Sequence, residues 1–161
     1  QGGLAGGELG VIVAPAGIGK TWILCALGAG AMKRGTNVVH YSLELNEAYV
    51  GLRYDSAFTG IANQNLKYHK DEVKDKIEEI KGELVVKYFP TKTASVHTLG
   101  AHLQKLKTLG KKFDMVVVDY GDILRDTRGF RFQYGLHHKQ IEVLLMKKLL
   151  RLQKLLNHIR K

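Results

Sequence analysis

At 161 residues, 45% of them apolar and 25% charged, the chain has the size and balance of one globular domain around one core. Its longest mostly apolar run, Trp22 to Met32, is too short to span a bilayer, and no basic-plus-apolar leader precedes it, so the reading is neither a secreted nor a membrane protein. The formal net charge of +10 is uneven, with 15 Lys/Arg against 13 Asp/Glu in residues 1–124 and 10 against 2 in residues 125–161. The basic excess therefore belongs to the tail, where it suits nucleic acid, acidic lipid or simply a solvated helix face.

In chain order, a glycine- and alanine-rich lead-in (Gly2, Gly3, Ala5, Gly6, Gly7, Gly10) feeds a predicted first strand, Val11 to Ala14. A glycine-bearing turn follows, then a helix from about Gly19 to Arg34, stopped by Gly35. Cys25 falls on that helix and reads as a small buried apolar residue; a lone cysteine fits a reducing cytoplasm. Asn37 to Leu43 is β-rich, and Asn46 can cap the next helix, which runs to Gly60. Asp71 to Lys81 reads as an exposed helix and Leu84 to Phe89 as a strand closed by Pro90. Ser95 to Leu109 places Val96, Leu99, Leu103 and Leu106 on one helical face. Phe113 to Tyr120 is an unbroken apolar strand that ends in an acid.

Strands alternating with helices predict parallel β-α-β units and a three-layer α/β domain over residues 1–124, with its ligand at the carboxyl ends of the strands. Residues 125–161 form a separate basic tail. Within it, residues 136–161 read as a leucine- and lysine-rich helix with Ile141, Leu145, Leu149, Leu152, Leu156 and Ile159 in one stripe. That stripe packs on a core or a partner in the favoured reading and on a membrane surface in the lesser one.

The strongest chemical signal is Ala14-Pro15-Ala16-Gly17-Ile18-Gly19-Lys20-Thr21, a P-loop with alanine in place of the first glycine. Its small residues let backbone N–H groups wrap the phosphates of a nucleotide, and the helix start adds its positive end. Lys20 reaches the β- and γ-phosphates, and the Thr21 hydroxyl can ligate Mg2+. Pro15, Ala16, Gly17, Ile18, Gly19, Lys20, Thr21 and Trp22 are thus the predicted ATP-binding residues. The competing reading is an ordinary glycine-rich turn.

Asp119, closing the buried strand Phe113–Asp119, suits a Walker B acid that holds Mg2+ beside the P-loop; it could also cap a turn through Gly121 and Asp122. Glu44 ends the strand His40-Tyr41-Ser42-Leu43. It is the candidate general base, or else a surface glutamate at the amino end of the next helix. Trp22, Tyr41 and Tyr120 could stack on a base, but core packing is the favoured reading. His137, His138 and His158 show no zinc spacing, and no structural metal is predicted. Lys139, Lys147, Lys148, Arg151 and Lys154 could neutralise phosphates or line a solvated face.

From Gly2 to about Leu124 the sequence resembles the RecA-like motor domain of DnaB-type replicative DNA helicases, particularly phage-type members. Gly3-Leu4…Gly7-Glu8-Leu9 resembles that family's lead-in to the P-loop strand. Ser42-Leu43-Glu44-Leu45 resembles its S-L-E-M segment, which implies that Glu44 is the catalytic base. Val117-Val118-Asp119-Tyr120 resembles its Walker B segment, which implies the Mg2+ role for Asp119. Arg53 resembles an arginine that follows S-L-E-M and is assigned no role. The resemblance further implies ATP hydrolysis in a homo-hexameric ring that translocates on single-stranded DNA, in the cytoplasm of a bacterial or phage-infected cell.

After Tyr120 the resemblance stops where the charge jumps. The family's sensor strand, which lies between the P-loop and Walker B strands, and its arginine finger are not found in residues 125–161. Ile141 to Met146 is the one run that could supply a strand, against its helical stripe. The expectation is an incomplete gene product with a tail of uncertain, even out-of-frame, origin and without the primase-interacting amino-terminal domain. Two other functions stay open: a RecA/RadA-type DNA-dependent ATPase that does not unwind, and a nucleotide-binding fragment without turnover.

Overall fold

Valine builds the sheet. Three five-residue runs, Val38–Ser42 (β1), Leu84–Tyr88 (β2) and Met115–Asp119 (β3), carry seven valines among them, and β-branched side chains suit a pleated surface packed from above and below. The computed structural model describes residues 4–15 and 17–120. The strands lie in the order β2-β1-β3, both pairings parallel, with Val38 opposite Leu84 and Met115, and Ser42 opposite Tyr88 and Asp119. All three carboxyl ends therefore reach the same edge.

Asn37 sets this register at the other edge. Its backbone N–H donates to Asp114 Oδ2 (3.0 Å), its side-chain oxygen accepts from Glu83 N (2.8 Å), and its carbonyl accepts from Asp114 N (2.9 Å). One residue thus ties the starts of the three strands, and a one-residue slip would turn every valine to the wrong face.

The helices are α1 (Lys20–Met32), α2 (Glu47–Thr59), α3 (Lys70–Glu78) and α4 (Val96–Thr108), with a single 3₁₀ turn at Leu66–Tyr68. The described residues group into two units: 12–89 with 112–119, and 4–11 with 90–111 and Tyr120. In the first, α1 and α2 cover one face of the sheet, where Cys25, Ala29, Met32, Val38, Val50, Tyr54 and Val117 form the core cluster. All five residues of β1 are buried, so this strand is covered on both faces, as its unbroken apolar run predicts.

Each helix boundary has a local cause. Gly19 precedes α1 in a left-handed conformation, and Gly35 (φ 86°) ends its last turn by donating to Met32 O (2.9 Å). The Asn46 side chain accepts from Tyr49 N (3.1 Å) and starts α2, which Gly60 closes. Among its residues α3 buries none, matching the predicted exposed helix. In the second unit, Ser95 and Thr98 form a capping box for α4, which buries Leu99 and Leu103 and half-buries Val96 and Leu106.

One predicted element does not form. Val11 to Ala14 is not a strand: Val11 is 49% exposed and Val13 83%. Among the described residues β3 pairs only with β1, and no strand lies on its other edge. In the RecA-like arrangement the P-loop strand reaches Walker B only through an intervening strand. Among the described residues the backbone of 11–14 therefore has no ladder to join, whatever its valines prefer. The predicted helix over 136–161, its leucine stripe, the Ile141–Met146 run and the basic and histidine side chains of the tail lie outside the described residues.

Candidate functional site

The predicted site has a loop half and a sheet half. In the loop half, Gly17 (φ 78°) and Gly19 (φ 93°) adopt the left-handed conformation that L side chains avoid, so these two positions of the motif require glycine. Two left-handed positions so close in sequence are the kind of backbone found in anion-binding nests. The start of α1 is open in the same sense: Gly19 offers no side-chain cap, and no acidic residue sits in the first turn. Lys20 Nζ arches back over the loop and donates to Ala14 O and Pro15 O, each at 2.8 Å. Thr21 is half-buried in the first turn, while Pro15 and Ile18 are exposed. Ala16 lies outside the described residues.

The sheet half is set by register. Leu43 N donates to Asp119 O (2.7 Å), so the β1–β3 ladder runs up to the two predicted acids. Asp119 is 1% exposed, and its Oδ2 is buried without a hydrogen-bond partner among the described residues. A buried carboxylate oxygen left open is costly unless something else satisfies it. Beyond Ser42 the chain bends, and Ser42 Oγ accepts from Leu45 N (3.0 Å), which fixes the bend that presents Glu44 to solvent. The acid in the first turn of α2 is Glu47, not Glu44. Glu47 accepts from Tyr88 N (3.0 Å) and Lys87 Nζ (3.5 Å), and these bonds hold its carboxyl below the usual range. Glu47 thus sits in the first turn of α2, near the positive end of its dipole.

The family model for the DnaB-like helicase C terminal domain matches residues 1–154. The chain is also 32% identical, over 140 residues and 80% of its own length, to the DnaB-like replicative helicase of Enterobacteria phage T4. The chain belongs to the DnaB-like helicase C-terminal domain family. It spans 29% of the length of the phage relative. A solved DnaB-like replicative helicase, described with its interactions with primase, superposes with a TM-score of 0.65 at 15% identity, over 89% of this chain and 35% of that one. That likeness shows the RecA-like α/β fold. The family match also continues past residue 124 into the basic segment.

In this DnaB-family domain, Glu44 and Asp119 stand at the carboxyl ends of neighbouring parallel strands, and Lys20 and Thr21 open the helix that packs on those strands. Tyr41 is wholly buried against Phe89 (ring centroids 5.9 Å apart), a core residue and not a stacking platform. Trp22 is 43% exposed, with the Arg53 guanidinium 5.2 Å from its ring centroid. Among the described residues no three His, Cys, Asp or Glu side chains converge on a metal position. No described helix is long and apolar enough to cross a membrane.

Sequence reasoning missed a buried polar group beneath α1. His40 Nδ1 lies 3.0 Å from Tyr54 Oη, while His40 Nε2 and Arg53 Nη1 are buried without partners among the described residues. Burial, and then the Arg53 charge, lower the His40 imidazole to about 4. Burial pushes the Cys25 thiol up to about 12, with Arg53 opposing and Asp119 reinforcing the shift. The one available signal was polar residues inside apolar stretches: His40 within a valine strand and Arg53 between Leu52 and Tyr54.

Proposed function

We propose that this chain is the ATP-binding and ATP-hydrolysing core of a replicative helicase, working as a homo-hexamer that moves on single-stranded DNA. The observation that carries the reading is the loop: two left-handed glycines lead into an uncapped helix whose first residue is Lys20. That arrangement offers backbone N–H groups and the Lys20 cation to a polyphosphate. The residues also fit Mg2+. Asp119 has an open buried oxygen, Thr21 brings a hydroxyl, and magnesium takes few protein ligands when phosphate oxygens share its shell.

Bound Mg2+ would neutralise phosphate charge and leave Asp119 satisfied. Lys20 exchanges its two loop carbonyls for phosphate oxygens, trading neutral acceptors for charged ones. Glu44, exposed in a bend fixed by Ser42, accepts a proton from the attacking water. A transition-state arginine from a neighbouring protomer would complete the site, so an isolated protomer turns over slowly.

Calorimetric titration of the whole chain with ATP and Mg2+ tests this. Lys20→Ala removes charge-assisted hydrogen bonds worth about 3 kcal/mol, so affinity should fall on the order of a hundredfold. Glu44→Gln should keep binding and lose DNA-stimulated hydrolysis. A folded wild-type chain that binds no ATP overturns the proposal.

A further inference from the structure

Residues 84–113 hold six lysines and no aspartate or glutamate, while the rest of residues 1–124 holds 9 Lys/Arg against 13 acids. Neighbours in sequence cannot neutralise so one-sided a stretch. In α3, by contrast, lysines and acids mix, and Lys76 pairs with Glu79 at 3.1 Å. The element that carries the basic stretch is α4. Leu99 and Leu103, both fully buried, seat one side of this helix, and Ala101, Gln104, Lys105 and Thr108 are exposed. Just past its end, Gly110 (φ 77°) turns the chain back, and Lys111 N donates to Leu106 O (3.0 Å). That bond holds Lys111 against the last turn, which carries Lys105 and Lys107, and all three lysines are exposed.

Part of this pattern serves the helix itself, since lysines in a last turn complement the dipole. The dipole, however, places only about half a negative charge there, and a single lysine offsets it. Three lysines gathered by a buried anchor and a closed turn leave a clear positive excess. Residues 90–112 contain no Phe, Tyr or Trp, so this surface offers phosphate contacts without base stacking. Insertion into a lipid surface would need an apolar side of the helix, and Leu99 and Leu103 are already spent inside the fold.

We propose that the carboxyl end of α4 binds the phosphate backbone of nucleic acid through Lys105, Lys107 and Lys111, without reading base sequence. It rests on the reading of the chain as a DNA motor only in taking DNA as the polyanion. None of the three lysines belongs to the P-loop, so the contact is separate from the ATP site.

The test is fluorescence anisotropy of a labelled oligothymidylate titrated with full-length chains over a range of NaCl concentrations, without ATP. Four chains are compared: wild type, Lys105→Gln/Lys107→Gln/Lys111→Gln, the same three positions changed to Arg, and Lys70→Gln/Lys74→Gln/Lys76→Gln. The last removes equal charge from another exposed helix, α3. The α4 glutamine chain should bind on the order of tenfold more weakly at low salt, and its slope of log affinity against log salt should be shallower by about 2. The arginine chain and the α3 chain should keep the wild-type slope. Equal losses from the α3 and α4 chains would mean that net charge alone acts, and overturn the proposal. An unchanged slope in the α4 glutamine chain overturns it too, while leaving a chain that binds DNA elsewhere. The wild type supplies a readout that needs no variant to fold. The oligonucleotide should protect Lys105, Lys107 and Lys111 from acetylation, read by mass spectrometry, and leave Lys70 and Lys74 reactive. Protection by phosphatidylserine vesicles but not by DNA also overturns the proposal. No ATP enters these measurements, so failure here is separable from failure of ATP binding.

Discussion

The two halves of the site are held by different physics. The sheet half is fixed by hydrogen-bond register: Asn37 pins the strand starts, and Asp119 and Ser42 are paired neighbours that solvent barely reaches. The loop half is held by two left-handed glycines and by Lys20 Nζ on the Ala14 and Pro15 carbonyls, in a segment that pairs with no described strand and leaves Val13 exposed. Position in the first half costs core packing to disturb. Shape in the second half costs only local dihedral energy. Substitutions in the sheet half should therefore register as stability, and substitutions in the loop half as affinity.

The largest effect expected on the sheet side comes from acid. His40 is neutral and buried in the fold, with its imidazole lowered from 6.5 to about 4. The unfolded chain binds this proton below about pH 6.5 and the folded chain only near pH 4. Stability is thus full above about pH 6.5 and falls as pH drops through that window, by about 3 kcal/mol in total. Urea midpoints measured from pH 7 to pH 4 should show that slope, and His40→Phe should flatten it. A wild-type profile without a slope between those values would mean that His40 is protonated or solvated in the fold.

How far this comparison could be read in the sequence depends on range. Elements whose causes lie within a few residues were legible: Asn46 and Gly60 bounding α2, the start of α4 at Ser95, and the valine runs of the strands. Val11 to Ala14 was misread because a valine pattern states only what a segment would do beside an open ladder. The His40–Tyr54 pair and the Arg53–Trp22 stack join residues 14 and 31 positions apart, and nothing local announces either. Glu47, and not Glu44, is the acid in the first turn of α2, a difference of three residues that local pattern did not resolve.

A smaller break on the sheet side targets the seam between α1 and α2. A methyl group at Gly28 would run into the Tyr54 hydroxyl and ring, and that hydroxyl is the partner of His40 Nδ1. The ring is wedged in the core cluster and cannot step aside cheaply. Gly28→Ala should therefore cost about 2 kcal/mol, despite alanine's better helix propensity. Thermal or urea unfolding reads this directly. A stabilised Gly28→Ala chain would show that the helix seam has slack, and would weaken the contrast between the two halves.

The smallest expected effect on stability belongs to the loop, and it sharpens the comparison most. At Gly17 nothing lies within 4 Å of an added methyl, so alanine there meets no neighbour and only the left-handed backbone resists it. That resistance is about 1–2 kcal/mol for an L residue. In the free chain the loop can relax to negative φ without breaking a ladder or opening the core, so the unfolding midpoint of Gly17→Ala should move by less than about 0.5 kcal/mol. A nucleotide that needs the wrapped loop would require the backbone to return to positive φ, and the strain would then appear as roughly tenfold weaker Mg·ATP binding. Measuring both quantities on one variant separates the two kinds of constraint. A stability loss as large as that of Gly28→Ala, with unchanged affinity, would mean that the loop is bound into the fold as firmly as the sheet and that its shape is structural.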